Sequence, residues 1–443
     1  MVLLLRTKGM TMSNRTRWSI SLMAAFSTVA AIALSVGTAL PAQAARADYA
    51  PGPNDIVGVG SDTSQYILDF ADDGDPEGDP GFNSSGGAYK VVSFDATADS
   101  NARASYDNNS TDSNLLPQDP TDVLRAGTYP NQRINGSGAG INALIANQGT
   151  TGNTSLPTIN FVRTTGEPTA AQGGDFASGL EVVKIATDTL AMAKDATSNS
   201  VALSPEQLVA IYQANIATGC PTWSEFGVTG AGSGDWVAPL IPVSGSGIRT
   251  TFLSDLADLG NDGTAITLGT CVTTVQQNDP TGITGFVTPA GWGGTIGAGV
   301  ADPQDAIVPF SGSRLNLWNG VSGNTSVAPS SDIGYFRNPA NVYGTADNPP
   351  ISPGVTLVTT GNPSDGNSVY VDNLALTITY PFSDNSSTQP GEPGSPYNWA
   401  NLLFCPSSKA GAPTPFFDTP AAEVDIAEAG ASPSYSCPST PLT

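Results

Sequence analysis

Residues 239–256 read PLIPVSGSGIRTTFLSDL, an apolar stretch followed by a Gly/Ser turn and a helical pattern. Ile248, Phe252 and Leu256 recur at helical spacing, and Ser246 stands where an N-cap residue is expected. A helix that begins this way directs unbonded backbone N–H groups and the positive end of its dipole outward, which suits an anion. Taken alone, the stretch is better explained as an ordinary capped helix with a flexible entry.

The same succession of apolar strand, small-residue turn and amphipathic helix occurs twice more, in 55–70 (DIVGVGSDTSQYILDF) and in 134–146 (INGSGAGINALIA). Alternating strands and helices predict an α/β fold with mainly parallel sheets, in which ligands bind at the carboxyl ends of strands. Residues 203–213 predict a helix with a capping box, and 180–193 and 305–310 predict buried or half-buried strands.

The first 44 residues have the pattern of a secretory signal. Basic residues precede an apolar run over 20–40, and Ala42-Gln43-Ala44 resembles a cleavage site. No cysteine follows the apolar run, so we expect no lipoprotein anchor; an uncleaved signal anchor stays an alternative. The expected location is extracellular, with the protein either secreted or attached to the cell surface.

The charge of the chain argues against several classes of partner. The signal holds four of the 16 basic residues and none of the 39 acidic ones, which leaves 12 basic against 39 acidic residues, or −27, in the rest. Nucleic acid and anionic membranes are poor partners for such a chain. Histidine is absent, which removes the commonest general base and metal ligand. Enzymes that use only carboxylates or Ser–Lys pairs pass this test, although no Lys is placed to support the second kind. We expect no enzyme, no metal and no cofactor.

Four cysteines follow the signal, namely Cys220, Cys271, Cys405 and Cys437. An even number in an exported chain predicts two disulfides, for which three pairings exist. Pairing between sequence neighbours, Cys220 with Cys271 and Cys405 with Cys437, is the expectation. The acidic segment 73–81 partly matches a calcium loop, but Ser84 stands where its final Glu belongs, so a solvated acidic loop is expected.

In several places the sequence resembles the phosphate-binding proteins of ABC transporters, which have the type II periplasmic-binding-protein fold. The resemblance extends from about residue 55 to 335 and more weakly to the C-terminus. It rests on six segments: GVGSDT at 58–63, NGSGAGI at 135–141, NFVRTT at 160–165, LSPEQLVAIYQANIATGCPTWSEFG at 203–227, GSGIRTTF at 245–252 and DIGYF at 332–336.

The resemblance implies two α/β lobes with a cleft between them that closes on a tetrahedral oxyanion. The expected segments of the chain are 1–44 for the signal, 45–186 and 341–443 for lobe one, and 187–340 for lobe two. The candidate phosphate-binding residues are Ser61, Asp62, Thr63, Ser137, Gly138, Arg163, Thr164, Thr165, Ser246, Gly247 and Arg249.

The chain departs from the family's pattern at two positions. Thr165 stands where the family has an aspartate, and Pro242 stands where many members have an arginine. Asp62 is a substitute acceptor for the proton of hydrogen phosphate, or else it supports the start of its helix. Arg249 is expected beside the anion, with the bracing of a nearby aspartate as the alternative.

The function that follows is that of an exported, monomeric solute-binding protein. It would bind phosphate, or a similar oxyanion, for import by an ABC permease. The alternative is a secreted or cell-wall protein of the same fold that serves adhesion or phosphate sequestration without transport.

Overall fold

The structure is a computed structural model of the 443-residue chain. It describes residues 51–52, 54–74, 80–85, 90–96, 121–125, 131–149, 158–175, 179–195, 203–227, 235–279, 281–289, 292, 303–319, 355–357, 371–381, 398–406, 411–438, 440 and 442. The signal at 1–44, most of the acidic segment 73–81 and the match at 332–336 lie outside these residues. Within the described ranges, no helix has the length and apolar character needed to cross a membrane.

Ten strands form one sheet, in which eight follow the order β2-β1-β5-β11-β6-β9-β7-β8 while β10 and β12 also pair with β6. Two further strands, β3 and β4, pair only with each other. The strands are β1 Ile56–Gly60, β2 Val91–Ser93, β3 Thr121–Asp122, β4 Asn131–Gln132, β5 Phe161–Thr164, β6 Leu180–Asp195, β7 Ala238–Pro242, β8 Thr273–Val275, β9 Ala306–Ser311, β10 Val355–Leu357, β11 Val371–Pro381 and β12 Ser432–Ser436.

The large sheet is mixed. Its two ends are parallel, as predicted, with β1 beside β2 and β5, and β7 beside β8 and β9. Its centre is antiparallel, because the 16-residue β6 runs opposite to β11, β9, β10 and β12. As a result β1 and β5 run opposite to β7 and β9, so the two parallel groups point their carboxyl ends toward one another.

Helices cover both faces of the sheet. Along β1, Ile56 joins one hydrophobic cluster while Val57 and Val59 join another on the opposite face, as the two-residue period of a strand requires. The helices are α1 Gln65–Asp73, α2 Ser137–Gly149, α3 Ala170–Gly174, α4 Pro205–Tyr212, α5 Gly247–Gly260, α6 Thr281–Thr284, α7 Gly312–Asn319, α8 Trp399–Leu403 and α9 Pro420–Glu428.

The predicted helix starts are confirmed at α4 and α5. The Ser204 hydroxyl accepts from the Gln207 N–H at 3.3 Å, and the Gln207 side chain accepts from the Ser204 N–H at 2.8 Å. Ser246 caps α5 by accepting from the Arg249 N–H at 3.2 Å. The rings of Tyr212 and Phe252 meet edge to face at 4.9 Å between their centroids and so join the two helices.

Both predicted disulfides are present: Cys220 is joined to Cys271, and Cys405 to Cys437. They close loops of 51 and 32 residues, so each is expected to stabilise the fold by about 3–4 kcal/mol. Among the described residues, the single grouping of potential metal ligands is Glu181 with Cys405 and Cys437. Since its two sulfurs are bonded to each other, this grouping is not a metal site.

Glu181 is the source of a pH-dependent stability term. Its side chain is buried beside the second disulfide, and within the described residues its Oε2 has no hydrogen-bond partner. Burial raises the pKa of Glu181 from 4.5 to about 7. Because the folded state holds this proton more tightly than the unfolded state, stability is lost as the pH rises from 4.5 through 7.

We therefore expect Glu181→Gln to gain stability relative to the wild type as the pH rises. From pH 4.5 to pH 8 the difference in free energy of unfolding should shift by about 3 kcal/mol in favour of the variant. Urea denaturation of both proteins at several pH values measures this shift. A difference that stays constant with pH would contradict the assignment.

Candidate functional site

The turns that begin α2 and α5 touch each other. A Cβ atom added to Gly136 would lie 2.5 Å from the carbonyl oxygen of Gly245, and Gly136 has a φ of +97°. A Cβ added to Gly247 would lie 2.7 Å from the Ser137 hydroxyl oxygen. Only glycine fits at both positions, so the glycines of the sequence pattern bring the two helix starts into contact.

The turn between β1 and α1 joins the same place through Gln277, which follows β8. Asp62 and Thr63 are buried in this turn. The Gln277 amide nitrogen donates to Asp62 and, at 2.9 Å, to the Thr63 hydroxyl. The Gln277 amide oxygen accepts from the Ser246 hydroxyl at the start of α5. The amide side chain of Gln277 therefore bridges the turn after β1 and the turn that begins α5.

Thr165 and Ser137 form a pair of hydroxyls beside the start of α5. The Ser137 hydroxyl accepts from the Thr165 N–H at 2.9 Å and lies 3.1 Å from the Thr165 hydroxyl. Thr164 points elsewhere: its hydroxyl bonds to the Thr377 hydroxyl in β11. At the position of the family's aspartate, this chain thus presents hydroxyl groups that both donate and accept.

A fourth helix start borders the site. The Asn278 amide nitrogen donates to the Thr63 hydroxyl at 3.1 Å, and its oxygen accepts from the Ser311 N–H at 3.0 Å at the end of β9. Asp188 fixes the first turn of α7 by accepting from the Ser313 N–H at 2.7 Å and from the Ser311 hydroxyl. Burial raises the pKa of Asp188, and hydrogen bonds from Ser311, Ser313 and Thr189 oppose that rise.

We use the name polar cluster for the seven buried residues that these contacts join. They are contributed by the turns after β1, β5, β7 and β8 and by the start of α2: Asp62, Thr63, Ser137, Thr165, Ser246, Gln277 and Asn278. Helices α1, α2 and α5, of 9, 13 and 14 residues, begin at the cluster, and α7 begins beside it. Several positive helix ends and many donors therefore surround one carboxylate, that of Asp62.

Arg163 supports the turn between β1 and α1. Its side chain is fully buried; Nε donates to the carbonyl of Ser61 at 3.0 Å, and the two terminal nitrogens donate to Ser93 and to the carbonyl of Phe94. Burial lowers the pKa of Arg163, and the nearby carboxylates, Asp69 foremost, oppose that change. Each guanidinium nitrogen has an acceptor inside the protein, which is typical of a supporting role.

Arg249 is half-buried, and its Nη1 donates to the carbonyl of Pro242 at 3.0 Å. This bond ties the first turn of α5 to the last residue of β7. The bond goes to a backbone carbonyl and not to an aspartate, and it does not test the predicted contact of Arg249 with the anion.

Four residues around the site were not predicted from the sequence: Gln277, Asn278, Ser311 and Arg314. The run QQND at 276–279 follows a strand, as does SGSR at 311–314. A polar run directly after an apolar strand was the available signal, but neither run has the Gly-rich form that marked the other turns.

Comparison with models of known protein families finds no match, and comparison with curated proteins finds none either. Among solved structures, the chain is similar to an ABC-type phosphate transport receptor from Vibrio cholerae, with a TM-score of 0.41 and 14% identity over 86% of this chain and 100% of that one. It is also similar to a putative phosphate ABC transporter substrate-binding protein with bound phosphate from Clostridium perfringens, with a TM-score of 0.43 and 13% identity over 86% and 99%. These are remote likenesses, and the assignment of function depends on the geometry of the site.

Proposed function

We propose that this chain is an exported solute-binding protein that holds phosphate, or a similar tetrahedral oxyanion, at the polar cluster for import by an ABC permease. The observation that carries the proposal is the meeting of the starts of α1, α2 and α5 at one buried group of hydroxyl and amide side chains. The first N–H groups of a helix have no acceptor within it, so three such starts can supply several donors to one anion.

The proposed contacts are divided between two groups of strands. Thr63, Ser137, Thr165 and the N–H of Gly138 would bind from the side of β1 and β5. Ser246 and the N–H groups of Gly247 and Ile248 would bind from the side of β7. We further propose that lobe one comprises 45–186 and 341–443 and that lobe two comprises 187–340, with β6 passing from one lobe to the other.

The net charge does not oppose this function. Salt screens the field of the distant carboxylates within about 8 Å at physiological ionic strength, whereas donors in a buried site act directly on the anion. The negative surface should slow the capture of an anion and leave its affinity to the local donors.

Titration calorimetry of the purified protein with phosphate, sulfate and molybdate tests the proposal. We expect saturable binding of phosphate with one site per chain, and weaker binding of sulfate. If none of the three anions binds, the proposed function is wrong. If the protein binds phosphate but does not associate with a permease of the same cell, sequestration is the better account.

Asp62 is expected to select phosphate over sulfate. Hydrogen phosphate carries a proton that a carboxylate accepts, whereas sulfate would meet the Asp62 charge with no proton to share. Asp62→Asn should weaken phosphate binding by about 10-fold or more and narrow its advantage over sulfate. The exposed Asp258 on α5 offers a control with the same loss of charge, and Asp258→Asn should preserve selectivity. Unchanged selectivity in Asp62→Asn would assign Asp62 to the support of α1.

A further inference from the structure

Arg314 lies in the first turn of α7 and is 2% exposed. Its Nε and Nη1 are buried and have no hydrogen-bond partner in the part of the chain that the structure describes. Its guanidinium carbon lies 4.4 Å from the centre of the Tyr66 ring. This arginine therefore has a cation–π contact but no hydrogen-bond acceptor at either nitrogen.

Arg314 adjoins the polar cluster on two sides. Tyr66 follows Thr63 by three residues, in the first turn of α1. On the other side, the Arg314 N–H donates to the Ser311 hydroxyl at 3.1 Å, and the Ser311 N–H donates to Asn278, which in turn donates to Thr63. The guanidinium thus lies over Tyr66 in the first turn of α1, and the backbone of Arg314 is linked to Thr63 through Ser311 and Asn278.

An arginine in this state is costly unless something accepts its hydrogen bonds. A cation–π contact offsets only part of the desolvation cost of a buried charge whose donors lack acceptors. Carboxylates normally offset such a charge. The neighbouring Asp188 is instead engaged with Ser311, Ser313 and Thr189. The geometry therefore calls for an acceptor that does not belong to these side chains.

We propose that Arg314 is the arginine that binds the oxyanion, approaching it from the start of α7. The inference rests on the proposed function and names the charged contact of that site. It distinguishes Arg314 from Arg163 and Arg249, whose guanidinium groups already donate to carbonyls of the protein. A guanidinium can give two parallel hydrogen bonds to one oxyanion, either from Nε with Nη2 or from Nη1 with Nη2. In Arg314 each of these two edges contains a donor, Nε or Nη1, that has no acceptor among the described residues.

The location of Arg314 implies a second role for the bound anion. Ser137 and Thr165 reach the cluster from the side of β1 and β5, while Arg314 reaches it from the end of β9. An anion held by both groups would link them, so its binding would stabilise the arrangement of α2 against α7.

The test compares Arg314→Met with Arg125→Met, a matched change at another buried arginine. Arg125 has acceptors in the protein: it donates to the carbonyl of Gly52 at 2.9 Å and to the Asn160 side chain at 2.7 Å. Calorimetry with phosphate and thermal melts with and without phosphate are measured for both variants and the wild type. Arg314→Lys, which keeps the charge but loses the forked edge, is the fourth protein.

We expect Arg314→Met to weaken phosphate binding by about 100-fold or more, and Arg314→Lys to recover part of that loss. Without phosphate, Arg314→Met should melt at the wild-type temperature or above, because it removes a buried charge whose Nε and Nη1 have no acceptor among the described residues. Phosphate should then no longer raise its melting temperature. Arg125→Met should show the opposite pattern, with a lower melting temperature and an affinity within about threefold of the wild type.

Two results would overturn the inference alone. One is phosphate binding by Arg314→Met with wild-type affinity; the other is a ligand-free Arg314→Met that is unfolded or melts as early as Arg125→Met. If the wild type itself binds neither phosphate nor sulfate, the proposed function fails and the inference fails with it.

Discussion

Replacement of Gly247 by alanine is expected to weaken phosphate binding by about 100-fold or more. The added Cβ would lie 1.8 Å from the Thr165 hydroxyl oxygen and 2.7 Å from that of Ser137. Since real Cβ atoms do not approach oxygen so closely, the start of α5 must move away from the end of β5. That movement separates the two sets of donors, and a displacement of about 1 Å at a polar site is enough to lose most of its affinity.

The neighbouring Gly166 provides the matched control. A Cβ at Gly166 would meet nothing within 4 Å, although the residue directly follows Thr165. Gly166→Ala should bind phosphate with an affinity close to that of the wild type, and calorimetry measures both variants. Equal affinities for Gly247→Ala and Gly166→Ala would place the binding site away from the contact between α5 and Thr165.

Replacement of Arg163 by methionine is expected to lower the free energy of unfolding by about 3–5 kcal/mol. The change removes the hydrogen bonds that Arg163 donates to Ser61, Ser93 and Phe94. It also removes a positive charge that lies among several carboxylates. Among these is Asp72, whose pKa is raised well above its usual value, chiefly by burial, while Arg163 acts to lower it. Without Arg163 the first turn also loses the bond that holds the Ser61 carbonyl.

Urea denaturation measures this loss, with Arg249→Met as the comparison. Arg249 is half-buried and makes one side-chain bond to a backbone carbonyl, so its loss should cost about 1 kcal/mol. If the two variants are equally stable, Arg163 does not support the fold as its contacts indicate.

Local patterns of the sequence were sufficient for much of the fold. The unit at 239–256 forms β7 and α5, and the unit at 55–70 forms β1 and α1. Both were predictable because hydrophobic period and cap residues act within a few residues of each other. The unit at 134–146 forms α2, but its strand part is reduced to a bridge between Asn135 and Gly60.

The antiparallel centre of the sheet was not predictable from the same patterns. β11 has the apolar residues of a strand, but nothing in its sequence says that it pairs with β5 on one side and β6 on the other. Strand order depends on contacts between distant segments, which a hydrophobic period does not encode. The prediction of mainly parallel sheets therefore applies to the two ends of the sheet and not to its middle.

The site divides in the same way. Gly136, Ser137, Ser246 and Gly247 were found because a glycine-rich turn before a helix has a recognisable form. The roles of the arginines depend on partners far along the chain, such as Phe94 for Arg163 and Tyr66 for Arg314. Proximity to a turn in the sequence made Arg249 the expected anion contact. The proposal for Arg314 rests instead on a property visible only in the fold, the burial of Nε and Nη1 without an acceptor among the described residues.

The position of β11 also sets the order in which a nascent chain can fold. β11 fills the gap between β5 and β6, yet Thr377 in β11 follows its partner Thr164 in β5 by 213 residues. At about 5–20 residues per second, the ribosome makes that residue roughly 10–40 s after β5. Until then β5 and β6 each present an open edge to other chains. The sheet therefore cannot be completed until the chain is available as far as β11.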